Sequence, residues 1–233
     1  MNTDQVIKFQ DYDFSEDFVA ISSEVDDDMA CFHTGLIISY EDKIYYFHYT
    51  GKKVELKDVT NDTAKYKDLY LKRLDIIVDE DVVTFLGHCE KLDRKGIHPQ
   101  YGFVFNDSYY DSSKEPFLVN AVHDITTCVG FCIKIIRGFI YSNPEYIKIS
   151  DWNNGSLQNV PQWLWDHIHR YLQLYASQNG LSVSQLYGQN ELKRILPVEL
   201  LTSGFFQELP ISKAQIDTLR PQVENHIQSF RVA

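Results

Sequence analysis

The chain has 233 residues, of which 44% are hydrophobic and 14% aromatic, and its formal net charge at pH 7 is −11. A chain of this length and composition can bury one substantial core, so we expect a globular protein. The negative charge argues against nucleic-acid binding, which requires clustered Lys and Arg, and favours a neutral or cationic substrate.

The N-terminal sequence and the cysteines together favour a soluble cytoplasmic protein. Residues 1–8 lack a basic segment followed by an apolar one, and no later apolar run is long enough to span a bilayer. The four cysteines, without a secretory signal, are expected as reduced thiols rather than disulfides. We therefore expect no transmembrane segment and a cytoplasmic location, and the sequence leaves the oligomeric state open.

Strands are predicted mainly in the first third of the chain. Residues 17–22 and 36–48 are rich in β-branched and aromatic residues, and the polar residues 40–43 divide the second region into the two strands of an antiparallel hairpin. Residues 74–78 predict another strand, whereas the polar residues 53–70 predict a loop with a short helix. The acidic residues 24–28 predict a solvated loop beside the active-site mouth, because they lack the central glycine and alternating ligands of an EF-hand.

Helices are predicted mainly in the second half. Apolar residues recur at helical spacing from residue 79 to 92, while turn-forming residues make 93–124 mostly irregular. Pro161 begins a strong helix that ends before Gly180. Two further helices are predicted at about 189–208 and 212–230, the last capped by Ser212.

The segment around Cys128 has the pattern of a reactive thiol. Thr126 and Thr127 precede Cys128, and the apolar residues that follow predict a helix with the cysteine in its first turn. Free N–H groups and the helix dipole favour a thiolate at that position, so the pKa of Cys128 is expected to fall. The simpler alternative is that Cys128 and Cys132 are small buried hydrophobic residues one turn apart.

Two histidines in the predicted hairpin supply the other parts of a catalytic triad. His33 and His48 lie near the open end, one on each strand. A cysteine at a helix N-terminus, a histidine base on a strand and a second polar residue that orients the base form a cysteine-hydrolase triad. His123, five residues before Cys128, is a rival base, but its position outside the helix cap does not direct its ring over the sulfur.

These segments resemble those of the NlpC/P60 papain-like cysteine enzymes. His33-Thr-Gly-Leu-Ile-Ile is similar to the His-x-Gly-Ile segment of that family, Phe47-His48 to its second polar position, and Thr127-Cys128-Val-Gly-Phe to its Cys-x-x-Phe/Leu segment. Both histidines precede the cysteine, which is the order of the circularly permuted branch with the lecithin–retinol acyltransferase-like, PPPDE and bacterial permuted members. Residues 196–203 are similar to a Thr-Pro-x-x-Leu segment after the catalytic helix. The chain departs from the pattern at Val129, at residues 16–21 and in a longer interval between the histidines.

The resemblance implies an α+β fold of the permuted papain-like type, in which a small antiparallel sheet packs on the catalytic helix and an α-rich part follows. Residues 1–142 would form the catalytic core, and residues 143–233 a helical C-terminal part with an insertion near 143–190 that packs on or covers the core. Tyr101 lies in a Pro-Tyr segment of the kind that leads towards the cysteine. Trp163 and Trp165 belong to the helix after Pro161, which is either core packing or a cover with both rings lining a substrate pocket.

The resulting functional hypothesis is a cysteine-dependent amide hydrolase of bacterial type. Cys128 attacks the carbonyl of a peptide-like substrate, His33 transfers the proton, and His48 orients His33. No cofactor or metal is expected. An acyltransferase or thioesterase that acts on a lipid or acyl substrate is the second candidate, because these residues do not decide which nucleophile resolves the acyl-enzyme.

Two other classes of function stay open at this point. One is a binding module that keeps the scaffold without catalysis. The other is a zinc site built from Cys31, His33, Cys128 and Cys132, although the last two lack the short turn of a zinc knuckle. His88-Cys89 as a metal pair has no support, and His167 and His169 point in different directions on a helix.

Overall fold

A computed structural model describes residues 2–158, 160–187 and 192–231 of the chain. Its strands are β1 Ile7–Lys8, β2 Phe18–Val25, β3 Cys31–Tyr40, β4 Lys43–Tyr49, β5 Val54–Asp58, β6 Leu69–Arg73, β7 Gln100–Tyr101, β8 Tyr109–Tyr110, β9 Leu118–Val119 and β10 Ile125–Thr126. Its α-helices are α1 Val82–Arg94, α2 Cys128–Phe139, α3 Gln162–Gln178, α4 Val183–Tyr187, α5 Pro197–Ser203 and α6 Lys213–Ser229.

A six-stranded antiparallel sheet forms the centre of the fold. Its strand order is β1-β6-β2-β3-β4-β5, so the β3–β4 hairpin lies between β2 and the edge strand β5. With the helices that pack on it, this sheet confirms the prediction of a mixed α+β fold. The short strands β7 and β10 pair in parallel and lead the chain into α2.

The predicted hairpin is present, with a tight turn at its closed end. Glu41 and Asp42 both have positive φ, +47° and +62°, as the central residues of a two-residue turn of type I′ do. β3 and β4 then stay in register from the Tyr40–Lys43 pair to the Gly35–His48 pair. The register carries both histidines to the open end of the hairpin.

The two faces of the sheet bury different parts of the core. Phe47 and Tyr49 of β4 contact Phe131 of α2, with ring centroids 5.2 and 6.0 Å apart. The opposite face packs Ile37 and Tyr46 into a separate apolar cluster with the N-terminal segment. Alternation along each strand therefore decides whether a side chain faces α2 or the N-terminal segment.

The strand predictions between residues 53 and 78 were wrong. Residues 53–70, predicted as loop with a short helix, do contain a short 3₁₀ helix at Thr63–Tyr66 but also β5 and the start of β6, and residues 74–78 form a turn rather than a strand. β5 alternates charged and apolar residues because it is an edge strand with one solvated side. β6 buries Lys72, whose Nζ donates to the Arg73 carbonyl at 2.7 Å, so a charged residue occurs inside a central strand.

The helix predictions agree better with the structure. The helices predicted at 79–92, after Thr127, from Pro161 to Gln178 and from Ser212 to 230 correspond to α1, α2, α3 and α6. Ser212 Oγ accepts from the Gln215 N–H as an N-cap. The helix predicted at 189–208 is much shorter and covers only Pro197–Ser203, since residues 192–196 are not helical, and residues 189–191 lie outside the described part.

Residues from both predicted domains share one core. Tyr146, Trp152 and Leu200 from the C-terminal part belong to the same apolar cluster as Leu36 and Phe131. The division at residue 142 stays a prediction. In the described ranges no helix is both long enough and apolar enough to cross a membrane.

Candidate active site

One cavity of about 560 Å³ contains most of the side chains that the sequence singled out. His33 and His48 line it from the open end of the hairpin, Tyr101 lines it from β7, and Cys128 from the start of α2. Helix α3 supplies a further wall. The volume is in the range of small-molecule and peptide side-chain pockets.

The two histidines are in direct contact. His48 pairs with Gly35, so His33, two residues before Gly35, lies diagonally across the ladder on the same face. His33 Nε2 lies 3.0 Å from His48 Nδ1, which is a hydrogen bond whose donor depends on the tautomers. The ring of Tyr46 stacks on the His48 ring at 4.2 Å and fixes its plane.

Cys128 occupies the first position of α2, as the sequence predicted. Thr127 is the N-cap, and its Oγ1 accepts from the Gly130 N–H at 3.1 Å. The expected fall in the pKa of Cys128 is wrong, because only 6% of the Cys128 surface is exposed and the thiol is buried, as in the simpler alternative. Burial raises the pKa of Cys128 to about 11, against the opposing effect of N–H groups from Thr34 and Val129 at the sulfur.

The histidine pair and α2 lie on opposite faces of the sheet. Phe47 and Tyr49 face α2, so His48 between them faces away, and the register places His33 with it. Within the described residues, Cys128 Sγ makes no hydrogen bond to His33. The cysteine and the histidines nevertheless line the same cavity at the open end of the hairpin, where lining residues come from both faces.

The thiol of Cys128 and the imidazoles of His33 and His48 are all uncharged in the resting site. Burial lowers the pKa of His33 to about 4. Burial, and secondarily the neighbouring His33, lowers the pKa of His48 to about 4 as well. Near neutral pH the site therefore holds a thiol and two uncharged imidazoles rather than a thiolate–imidazolium pair.

Helix α3 covers the cavity with one face. Trp163, His167 and Tyr171 follow one another at four-residue spacing and all line the cavity. Trp165 does not line it, contrary to the prediction, and stacks on Phe103 with ring centroids 6.2 Å apart. Residues two apart on a helix point in widely different directions, so the two tryptophans cannot share the cavity.

The rival base and the metal alternative receive no support. His123 Nδ1 lies 3.3 Å from the Tyr175 hydroxyl and is not among the residues that line the cavity. No group of three or more His, Cys, Asp or Glu side chains in the described ranges is arranged to hold a metal ion.

Two residues that the sequence reasoning did not select lie at the site. His167 lines the cavity from α3, and its four-residue spacing from Trp163 and Tyr171 was the available signal. Glu55 of β5 pairs directly with His48 in the sheet. Glu55 lies in the polar segment 53–70, which the sequence predicts as loop. Its proximity to His48 becomes apparent only when β5 is recognised as an edge strand.

Comparison of the chain with protein-family models, with curated proteins and with solved structures found no significant match.

Proposed function

We propose that the protein is a cysteine-dependent amide hydrolase with a permuted papain-like arrangement of its site, in which Cys128 is the nucleophile and His33 the base. The observation that carries the proposal is the shared cavity, which Cys128, His33 and His48 all line. The hydrogen bond between the two histidines supports a role for His48 in orienting His33.

The reaction requires a proton transfer that accompanies the attack. Because the thiol and the imidazole are both neutral at rest, His33 takes the Sγ–H proton as sulfur bonds to the carbonyl carbon of the substrate. This step requires the His33 side chain to rotate towards the sulfur at the open end of the hairpin, since the two groups make no hydrogen bond within the described residues. His33 then protonates the leaving amine as the C–N bond breaks, and water releases the acyl group from Cys128.

The first turn of α2 provides donors for the oxyanion. The N–H groups of Cys128 and Val129, which lie at the sulfur, precede the first hydrogen bonds within the helix, and the Gly130 N–H is already bound by Thr127. A developing negative charge on the carbonyl oxygen is stabilised by such groups and by the helix dipole.

Thiol labelling with iodoacetamide at pH 7, read by peptide mass spectrometry, tests the nucleophile. Cys31 is the matched internal control, because it is more exposed than Cys128 and burial likewise raises its pKa to about 11. We expect Cys128 to react faster than Cys31, and His33→Ala to remove that advantage while the Cys31 rate stays unchanged. Faster labelling of Cys31 than of Cys128 in the wild-type protein contradicts the proposal.

Substitutions separate the nucleophile from its neighbour in the helix. Cys128→Ser should abolish amide hydrolysis without loss of the fold. Cys132 is fully buried, so Cys132→Ala should instead lower the free energy of unfolding, by about 1 kcal/mol or more. Activity that persists in Cys128→Ser but is lost in Cys132→Ala assigns the reaction to the other thiol.

Product analysis with an added amine or alcohol distinguishes hydrolysis from acyl transfer.

A binding module without catalysis is the second candidate. The observation that favours it is the arrangement of Cys128 and His33, which face different sides of the sheet and make no hydrogen bond within the described residues. Under this alternative a ligand still binds the cavity, and Cys128→Ser leaves its affinity unchanged. Unselective labelling of Cys128 with retained ligand binding supports the binding module.

A further inference from the structure

Glu55 extends the histidine pair by one more residue. It lies on β5 directly opposite His48 in the ladder, and its Oε2 is 3.6 Å from His48 Nε2. The Glu55 side chain is only 13% exposed. Three titratable side chains on three adjacent strands therefore form a row that begins at the cavity, His33, His48 and Glu55.

His48 Nε2 is a buried polar atom whose hydrogen-bonding capacity is unsatisfied. The atom is buried and makes no hydrogen bond within the described part of the chain. Its ring cannot turn away freely, because Tyr46 stacks on it at 4.2 Å. The nearest complementary group is the Glu55 carboxylate, which a small side-chain rotation brings within hydrogen-bond distance.

We infer that Glu55 is a positioning residue that holds His48 in its Nε2–H tautomer and thereby leaves the lone pair of His33 Nδ1 free to act on Cys128. A carboxylate accepts hydrogen bonds and does not donate them, so the proton of neutral His48 lies on Nε2. His48 Nδ1 is then an acceptor, and the 3.0 Å contact requires the proton of His33 to lie on Nε2. This inference rests on the proposed function, in which His33 is the base.

The opposite tautomers would disable the base. If His48 carried its proton on Nδ1, His33 Nε2 would accept it and His33 Nδ1 would hold the His33 proton. His33 would then present a donor to the cavity instead of a lone pair. Glu55 decides between the two states, because in the second state His48 Nε2 would turn a lone pair, instead of an N–H, towards the carboxylate.

Two lysines keep Glu55 ionised on its outer side. Lys57 Nζ lies 2.9 Å from Oε2, and Lys53 contacts Oε1. Partial burial opposes ionisation, but the hydrogen bonds from Lys53 and Lys57 hold the pKa of Glu55 below its usual value. Because both lysines are largely exposed, they provide control substitutions that change the charge around Glu55 without touching the histidines.

The test is the tautomeric state of both rings, observed by two-bond ¹H–¹⁵N correlation spectra at pH 7 and assigned with single histidine variants. Both rings are neutral there, since each pKa is lowered to about 4. We expect Nε2–H for His33 and His48 in the wild-type protein, loss of that signature in Glu55→Ala, and its retention in Glu55→Gln, whose amide oxygen still accepts. Lys57→Met, the control, should leave both tautomers unchanged.

Wild-type His48 protonated on Nδ1, or an unchanged spectrum in Glu55→Ala, overturns the inference. Iodoacetamide labelling of Cys128 in the same samples separates it from the proposed function. The expected tautomers without selective labelling of Cys128 overturn the function and leave the tautomer assignment standing. Selective labelling with the opposite tautomers overturns only the role of Glu55.

Discussion

Gly35 makes room for the histidine pair at the open end of the hairpin. It lies opposite His48, and a Cβ atom built at Gly35 would lie 2.4 Å from Tyr46 Cε2 and 2.8 Å from His48 Cβ. No other residue type fits without displacing one of these rings. The glycine two residues after His33 therefore has a steric function that is independent of any family pattern.

Gly35→Ala should destabilise the protein and displace His48. We expect a loss of about 1–3 kcal/mol in the free energy of unfolding, the usual cost of overpacking a buried site. Gly87→Ala is the control, since a Cβ there meets nothing within 4 Å and alanine favours the helix. Urea unfolding measures both, and equal stability of Gly35→Ala and the wild-type protein would contradict the close packing at His48.

At the scale of elements, α3 closes the cavity with aromatic side chains. Trp163 is 70% exposed although it lines the cavity, and Tyr171 is 48% exposed. Phe32 of β3, 54% exposed, lies on the same cavity. For the proposed hydrolase, exposed aromatic rings around one cavity favour a substrate with an apolar group next to the carbonyl that Cys128 would attack.

Removal of the Trp163 ring should slow the reaction of Cys128 with apolar reagents more than its reaction with small polar ones. In Trp163→Ala we expect the alkylation rate of Cys128 by a naphthyl iodoacetamide to fall about 2- to 10-fold relative to iodoacetamide, because an aromatic contact contributes about 0.5–1.5 kcal/mol. The control is Leu174→Ala, on the same helix, 57% exposed and not among the cavity residues. An unchanged ratio in Trp163→Ala would exclude Trp163 from the wall of the substrate site.

Helices could be predicted from the sequence more completely than strands. The apolar spacing of α2, α3 and α6 is a property of one segment, as are the caps Thr127 and Ser212. β5 and β6 depend on their partners: β6 tolerates Lys72 only because a carbonyl and Asp75 receive its ammonium group. The β-propensity of a segment does not show which strands or acceptor groups will surround it in the fold.

The same limit applies to the candidate site. The contact between His33 and His48 follows from the hairpin register, which the sequence indicated through its turn. The pair occupies the sheet face away from α2, whose Phe131 contacts Phe47 and Tyr49 on the other face. Hairpin patterning alone does not specify the side on which a distant helix will pack.

Over the whole molecule, buried neutral histidines link stability to pH. Burial is the main cause that lowers the pKa of His33, His48 and His88 to about 4. His88 is 7% exposed, its Nδ1 contacts Ser112 Oγ at 3.0 Å, and its Nε2 is buried without a partner. Below the pKa of an unfolded histidine, the unfolded chain binds a proton at each of these three rings and the folded chain does not. Each ring therefore favours the unfolded state in that pH range.

The free energy of unfolding should therefore fall as the pH is lowered from about 6.5 to about 4. In that window the unfolded chain binds protons at these histidines and the folded chain does not, which costs up to about 1.4 kcal/mol per pH unit for each histidine. His88→Gln removes one such group outside the candidate site, and taking its difference from the wild-type protein cancels the contribution of the carboxylates. Urea unfolding at pH 6.5, 5.5 and 4.5 should show a smaller loss of stability in His88→Gln than in the wild-type protein. Equal losses would mean that His88 is protonated in the folded protein.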